Sequence, residues 1–170
     1  TSPVTTSANL KIAGSLLDSG QLIEARATLL KIAGDNQSSD ADRLAATDLL
    51  SKVNDRIQSA DMNEIALQKA EFALREGDLR TAERQASPVA NGSAPSALKA
   101  RAATVLTQVS ARRAELEPQV AKLIGTVESN FNKEDYTSAK LALSEIVNSG
   151  IALSDRDQMY VDAYQVRIVE

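Results

Sequence analysis

The sequence predicts an all-α protein, a helical-repeat array of three units with three helices each. Three observations predict it. Composition is the first: 43% apolar, 25% charged and 3% aromatic, with 27 alanines against 7 glycines and 4 prolines. Disorder, collagen-like chains and glycine-punctuated β folds have different mixtures. The second is apolar spacing of three and four along successive segments, the period of a helix with one buried stripe. The third is recurrence. Gly20-Gln21-Leu22-Ile23-Glu24-Ala25 is matched by Gly77-Asp78-Leu79-Arg80-Thr81-Ala82 and by Glu134-Asp135-Tyr136-Thr137-Ser138-Ala139, a step of 57 residues each time (20, 77, 134). A fixed step of this size is the signature of a stacked array.

In chain order, residues 1–7 form a flexible polar arm, followed by repeats over 8–60, 61–117 and 118–170. The first helix of each unit falls at about 8–18, 63–76 and 118–131. Its stripe reads Leu10, Ala13, Leu17, then Leu67, Ala70, Leu74, then Ile124, Val127, Phe131. Glycine at 20 and 77 supplies the left-handed residue that ends a helix; the third turn, Asn132-Lys133-Glu134, has none. The second helix spans about 22–33, 79–87 and 136–148. Leu22, Ala25, Leu29, Ile32 and Ala33 become Leu79, Ala82, Ala86, Val89 and Ala90, then Tyr136, Ala139, Leu143, Ile146 and Val147. The third helix spans about 41–58, 96–115 and 155–170. There Ala45, Ala46 and Leu49 match Ala102, Ala103 and Leu106, and a one-residue slip brings in Tyr160, Val161 and Tyr164. Ser39 and Ser154, each three residues before an aspartate, are placed to cap this helix. Asp61 with Glu64 reads as a cap, and Pro118 as a first-turn proline, so nine helices are expected. The tight junction to the next unit is either a hairpin or one bent helix.

Charge and residue types restrict the function. Net charge is −4, and the 19 basic groups are not gathered into one patch. Binding to phosphate backbones, which depends on clustered Lys and Arg, is not expected. The middle third is the basic one and residues 115–170 the acidic one. The chain has no cysteine and no histidine. No disulfide framework, zinc–thiolate site or histidine base can be built, and no cofactor, metal or small-molecule substrate is expected. No apolar run is long enough to cross a bilayer. The opening Thr1-Ser2-Pro3-Val4 has neither the basic nor the apolar part of a signal region. Cysteine-free composition suits exported bacterial proteins as well as cytosolic ones.

The turn motif, with an apolar or aromatic residue two after the turn residue and alanine three further on, resembles the tetratricopeptide helix pair. The resemblance implies that Ala25, Ala82 and Ala139 lie where the second helix crosses the first, facing Ala13, Ala70 and Val127. That family repeats every 34 residues or so with two helices per unit and carries a tryptophan and a closing proline. Here the step is longer, there are three helices, and only Pro88 answers the proline. The stretch Ser149-Gly150-Ile151-Ala152-Leu153-Ser154, leading to Tyr164–Glu170, is similar to helical repeats that precede secretin channel domains. That similarity implies an exported envelope scaffold with no catalytic role.

Candidate sites follow from side-chain chemistry. The acid pairs Asp40/Asp42, Glu134/Asp135 and Asp155/Asp157 stand at helix starts and a turn, where carboxylates serve as caps. Asp155 lacks the glycine and the closing glutamate of a calcium loop. Arg80 and Arg84 lie one turn apart and could take an acidic peptide, although Glu76, Asp78 and Glu83 are near enough to pair with them. Lys99, Arg101, Arg112 and Arg113 decorate the third helix of the same unit. Four of the five aromatics fall in the last third, with Tyr160 and Tyr164 the candidate interface anchors. The expected function is a non-enzymatic protein-interaction or assembly scaffold. The alternative is a self-associating structural subunit, or a repeat module of a larger envelope or secretion protein.

Overall fold

The structure, a computed structural model, describes residues 3–151, 153 and 155–169. It is all-α, with eight helices and no strand among the described residues. They are α1 (Pro3–Asp18), α2 (Leu22–Gly34), α3 (Asp40–Ser59), α4 (Met62–Arg75), α5 (Leu79–Asn91), α6 (Ser96–Asn132), α7 (Tyr136–Asn148) and α8 (Asp155–Val169). α1 starts at Pro3 and not at residue 8, with proline in the first turn, where its missing N–H is no loss.

Eight helices replace the expected nine because the third helix of the second unit and the first of the next are one. Pro118 lies inside the 37-residue α6 and does not open a new helix. Helix-favouring Ala, Leu, Gln and Glu on both sides carry the chain through, at the expense of the bond that Ala114's carbonyl would have received. The equivalent junction earlier in the chain does break, at Ala60-Asp61. Asp61 caps α4 there by accepting from the N–H groups of Asn63 and Glu64. Pro88 is likewise inside α5, which runs four residues past the expected end at 87.

Other helix starts show the same economy of local bonds. Ser39 caps α3, its Oγ accepting from Asp42 N–H at 3.1 Å. Asp78 and Asp135 cap α5 and α7 by accepting from Thr81 N–H at 3.0 Å and Ser138 N–H at 3.1 Å. Each such cap contributes about 1 kcal/mol. The cap expected of Ser154 lies outside the described residues. The turn residues Gly20, Gly77 and Glu134 have φ of 78°, 83° and 61°. Left-handed backbone is unstrained for glycine but costs a residue with a Cβ about 1 kcal/mol.

The core falls into three clusters. The first joins α1, α2 and α3 through Ala13, Leu17, Ala25, Leu29, Ala46 and Val53. The second joins α4, α5 and the first half of α6 through Leu67, Ala70, Ala82, Val89, Ala102 and Val109. The third gathers Val120, Val127, Leu143, Ile146, Ile151 and Val161. Helix α4 serves two of them, sending Ile65 into the first and Leu67 into the second. Ala25, Ala82, Ala139, Ala13 and Ala70 are fully buried, and Val127 is 1% exposed.

Two packing expectations are corrected. Along α3 and α6 the buried pairs are Ala46 with Val53 and Ala102 with Val109, an offset of 56 (46 to 102), while Ala103 is exposed. The buried face of α6 is therefore one residue short of the expected step of 57. The shortfall arises in the preceding loop, whose capping residues Ser39 and Pro95 are also 56 apart. In the third unit the stripe is incompletely covered: Tyr136 is 46% and Val147 57% exposed. Among the described residues, α8 meets the third cluster through Val161, Tyr164 and Ile168.

Candidate functional site

A cleft of about 610 Å3 opens between the α4–α5 turn and the α7–α8 region. One wall is Gly77, Asp78, Arg80 and Thr81; the other is Asn148, Gly150, Gln158 and Gln165. The walls touch where the α7–α8 loop reaches the start of α5. Arg80 N–H donates to the Gly150 carbonyl at 3.2 Å, and its guanidinium to the Ile151 carbonyl at 3.4 Å. Gly150 has φ of 68°, and a Cβ on it would strike the Gly77 carbonyl.

Arg80 and Arg84 are both exposed. The pairing expected with Glu76, Asp78 and Glu83 does not form. Asp78 is turned back to cap Thr81 N–H, and Glu83 is taken by Arg113 from α6. Arg84 donates to Thr81 Oγ1 at 3.5 Å. Among the described residues, neither Arg80 nor Arg84 has a carboxylate within ion-pair distance. The Asp78 carboxyl is held below its ordinary value, first by its hydrogen bonds from Thr81 and then by the two arginines.

Arg101 is a structural residue. Its guanidinium bridges Glu64 at 2.9 Å and Glu71 at 3.0 Å, tying α6 to α4, and the Glu71 hydrogen bond raises its pKa further. Tyr160 and Tyr164 do not join the arginines. They stack on each other with centroids 6.4 Å apart, and Tyr164 meets Phe131 edge-on at 5.1 Å. Tyr164 packs against the third cluster, and burial, ahead of the nearby Glu128, pushes its hydroxyl pKa up. Tyr160 is 42% exposed, with the Arg156 guanidinium over its ring. Of the two proposed anchors, Tyr164 is half-buried against the third cluster and Tyr160 is exposed.

Two of the acid pairs, Asp40/Asp42 and Glu134/Asp135, are not among the residues lining the cleft. Asp40 pairs with Arg43, Asp42 accepts from Ser39 Oγ, and Asp135 caps α7. The Asp155 side chain lies outside the described residues.

Gln68 is a junction residue that sequence reasoning passes over. Its Oε1 accepts from Leu22 N–H at 2.9 Å and Ile23 N–H at 3.4 Å, and its Nε2 donates to the Gly20 carbonyl at 3.0 Å. One amide thus fills the open end of the α1–α2 turn. The residues 57 before and after it are Lys11 and Gly125, so the repeat pattern carries no signal of it. No helix of the described residues is long and apolar enough to cross a membrane. No family model, curated protein or solved structure matches the chain.

Proposed function

We propose that this chain is a non-enzymatic protein-binding scaffold on a tetratricopeptide-like helical repeat of three units, taking an acidic partner segment at Arg80 and Arg84. The observation that carries the binding reading is the pair of exposed guanidinium groups, one turn apart beside an open cleft, with Asp78 turned to its cap and Glu83 taken by Arg113. A carboxylate there would find two cations that form no ion pair among the described residues. The repeat reading draws support from left-handed turn residues at 20, 77 and 134 and from three successive core clusters. Scaffold function fits a chain lacking histidine and cysteine, whose shifted aspartates belong to helix caps.

The test is a displayed peptide library panned against the protein. Acidic sequences should be enriched, and the Arg80→Glu/Arg84→Glu variant should lose them while keeping its helicity. Enrichment that ignores charge, or that survives the double reversal, would sink the assignment.

A second reading, self-association as a structural subunit or envelope module, rests on Leu141, Val147, Met159 and Val166, all more than half exposed on α7 and α8. Light scattering at low and high salt separates the two, since a monomer under both conditions excludes self-association.

A further inference from the structure

We propose that the molecule bends at Pro118, and that Gly150 and Ile151, held by Arg80, are the latch that keeps the bend closed over the cleft. Helix α6 links the second and third clusters, and among the described residues Leu116 is the side chain packed against both. Two residues on, Pro118 has no N–H to give, so the Ala114 carbonyl lacks its helical donor. Interruptions of this kind are where long helices kink. The apolar packing on either side of Pro118 belongs to different clusters: Val105 and Val109 to the second, Val120 and Val127 to the third.

Away from α6, the polar ties across the cleft among the described residues come from Arg80. They run to the carbonyls of Gly150 and Ile151 at 3.2 and 3.4 Å, the long end of the hydrogen-bond range. The loop reaches Arg80 only because residue 150 has no Cβ to meet the Gly77 carbonyl and adopts a left-handed backbone. A weak tie over a cleft, opposite an interrupted helix, has the parts of a hinge and catch. Opening separates Asp78, Arg80 and Thr81 from Asn148, Gln158 and Gln165, the two walls of the cleft.

The hinge stands whether or not the acidic-partner reading does. If that reading holds, the two are coupled. A partner carboxylate would compete with the Ile151 carbonyl for the Arg80 guanidinium, so binding would favour the open form.

Distance measurement between paired spin labels tests the hinge, and the cysteine-free chain makes labelling specific. One pair, Glu76→Cys with Ser144→Cys, spans the cleft at exposed positions; a control pair, Lys31→Cys with Lys69→Cys, spans the first junction. Gly150→Val should lengthen and broaden the first distance and leave the control unchanged. Adding Pro118→Ala should narrow it again. Arg80→Ala, which removes only the guanidinium tie, should give a smaller change in the same direction and serves if Gly150→Val folds poorly. An unchanged cleft distance in both variants overturns the latch. Equal broadening of the control pair means general loosening and overturns it too. Broadening that persists with Pro118→Ala places the pivot elsewhere and overturns the hinge.

Discussion

The two junctions in this molecule are built on opposite plans. Between α3 and α4 the helix breaks, yet α4 is tied closely to the helices before it. Gln68 fills the α1–α2 turn, Arg75 pairs with Glu24 at 2.7 Å, and α4 contributes to two cores. At Pro118 the helix continues, yet among the described residues the side chains tying the joint are Leu116 and Arg80. A continuous backbone is therefore a poor guide to rigidity. Packing and polar contacts between neighbours set it, and backbone continuity only fixes the pivot.

The largest break in this contrast should come from Leu67→Ala. Leu67 is fully buried, so about 3 kcal/mol is expected from the lost methylenes and the cavity. Urea unfolding should show it, with amide-exchange protection falling in α2 as well as α5. Protection lost from α5 alone would mean that the first junction is no tighter than the second.

Tyr164→Ala is the counterpart on the far side, with about 2 kcal/mol expected for a large, partly buried ring. Exchange should quicken in α8 and leave α2 untouched. Tyr160→Ala should stay within about 0.5 kcal/mol, as exposed positions do. Equal costs for the two tyrosines would refute the division into half-buried and exposed.

Gln68→Ala leaves two N–H groups and a carbonyl without that partner, and about 1–2 kcal/mol is expected. Gln68→Glu separates acceptor from donor. It keeps the acceptor for Leu22 and Ile23 but loses the donor to Gly20 and sets a carboxylate against Glu64, so its cost should equal or exceed that of alanine.

Acid should loosen the second cluster through its cap. The folded pKa of Asp78 lies below the usual 3.8, so its stabilisation is fully present above that pH and is lost as pH falls through the lowered value. Asp78→Asn, which keeps a capping oxygen without the titration, should flatten that part of the stability profile. Asp78→Ala should cost about 1 kcal/mol at neutral pH. The smallest effect concerns the third turn. Glu134→Gly should stabilise by about 0.5–1 kcal/mol, because it relieves left-handed backbone at φ 61°. A thermal melt that drops would show that the Glu134 side chain makes a compensating contact.

Local features are the legible ones. The buried stripe of α2 and α5, the caps at Ser39 and Asp61, and the left-handed glycines at 20 and 77 depend on residues within a few positions of one another. Pro118 misleads because a proline's place in a helix depends on whether flanking propensity and packing outweigh one lost bond. The helical phase of α6 differs by one residue from the repeat register because loops absorb insertions without marking them in sequence. Gln68 and Gly150 act on partners 46 and 73 residues away (22 to 68, 77 to 150). A glutamine on a helix face and a glycine in a loop give no sign of such reach. Of the candidate site, the arginines are legible as cations. Their lack of carboxylate partners is not, because it depends on Arg113 arriving from α6 to claim Glu83.

The division of the core into three clusters has a mechanical consequence. Tension applied along the chain would be met in series by pieces of unequal strength, and the weakest yields first. That piece is α8, held through Val161, Tyr164 and Ile168, followed by the rest of the third cluster once the Arg80 tie parts. The first two clusters, stapled together, would give way last and as one. Extension should therefore proceed in small steps from the C-terminal side, so that a pulled molecule lengthens while most of its helices remain folded.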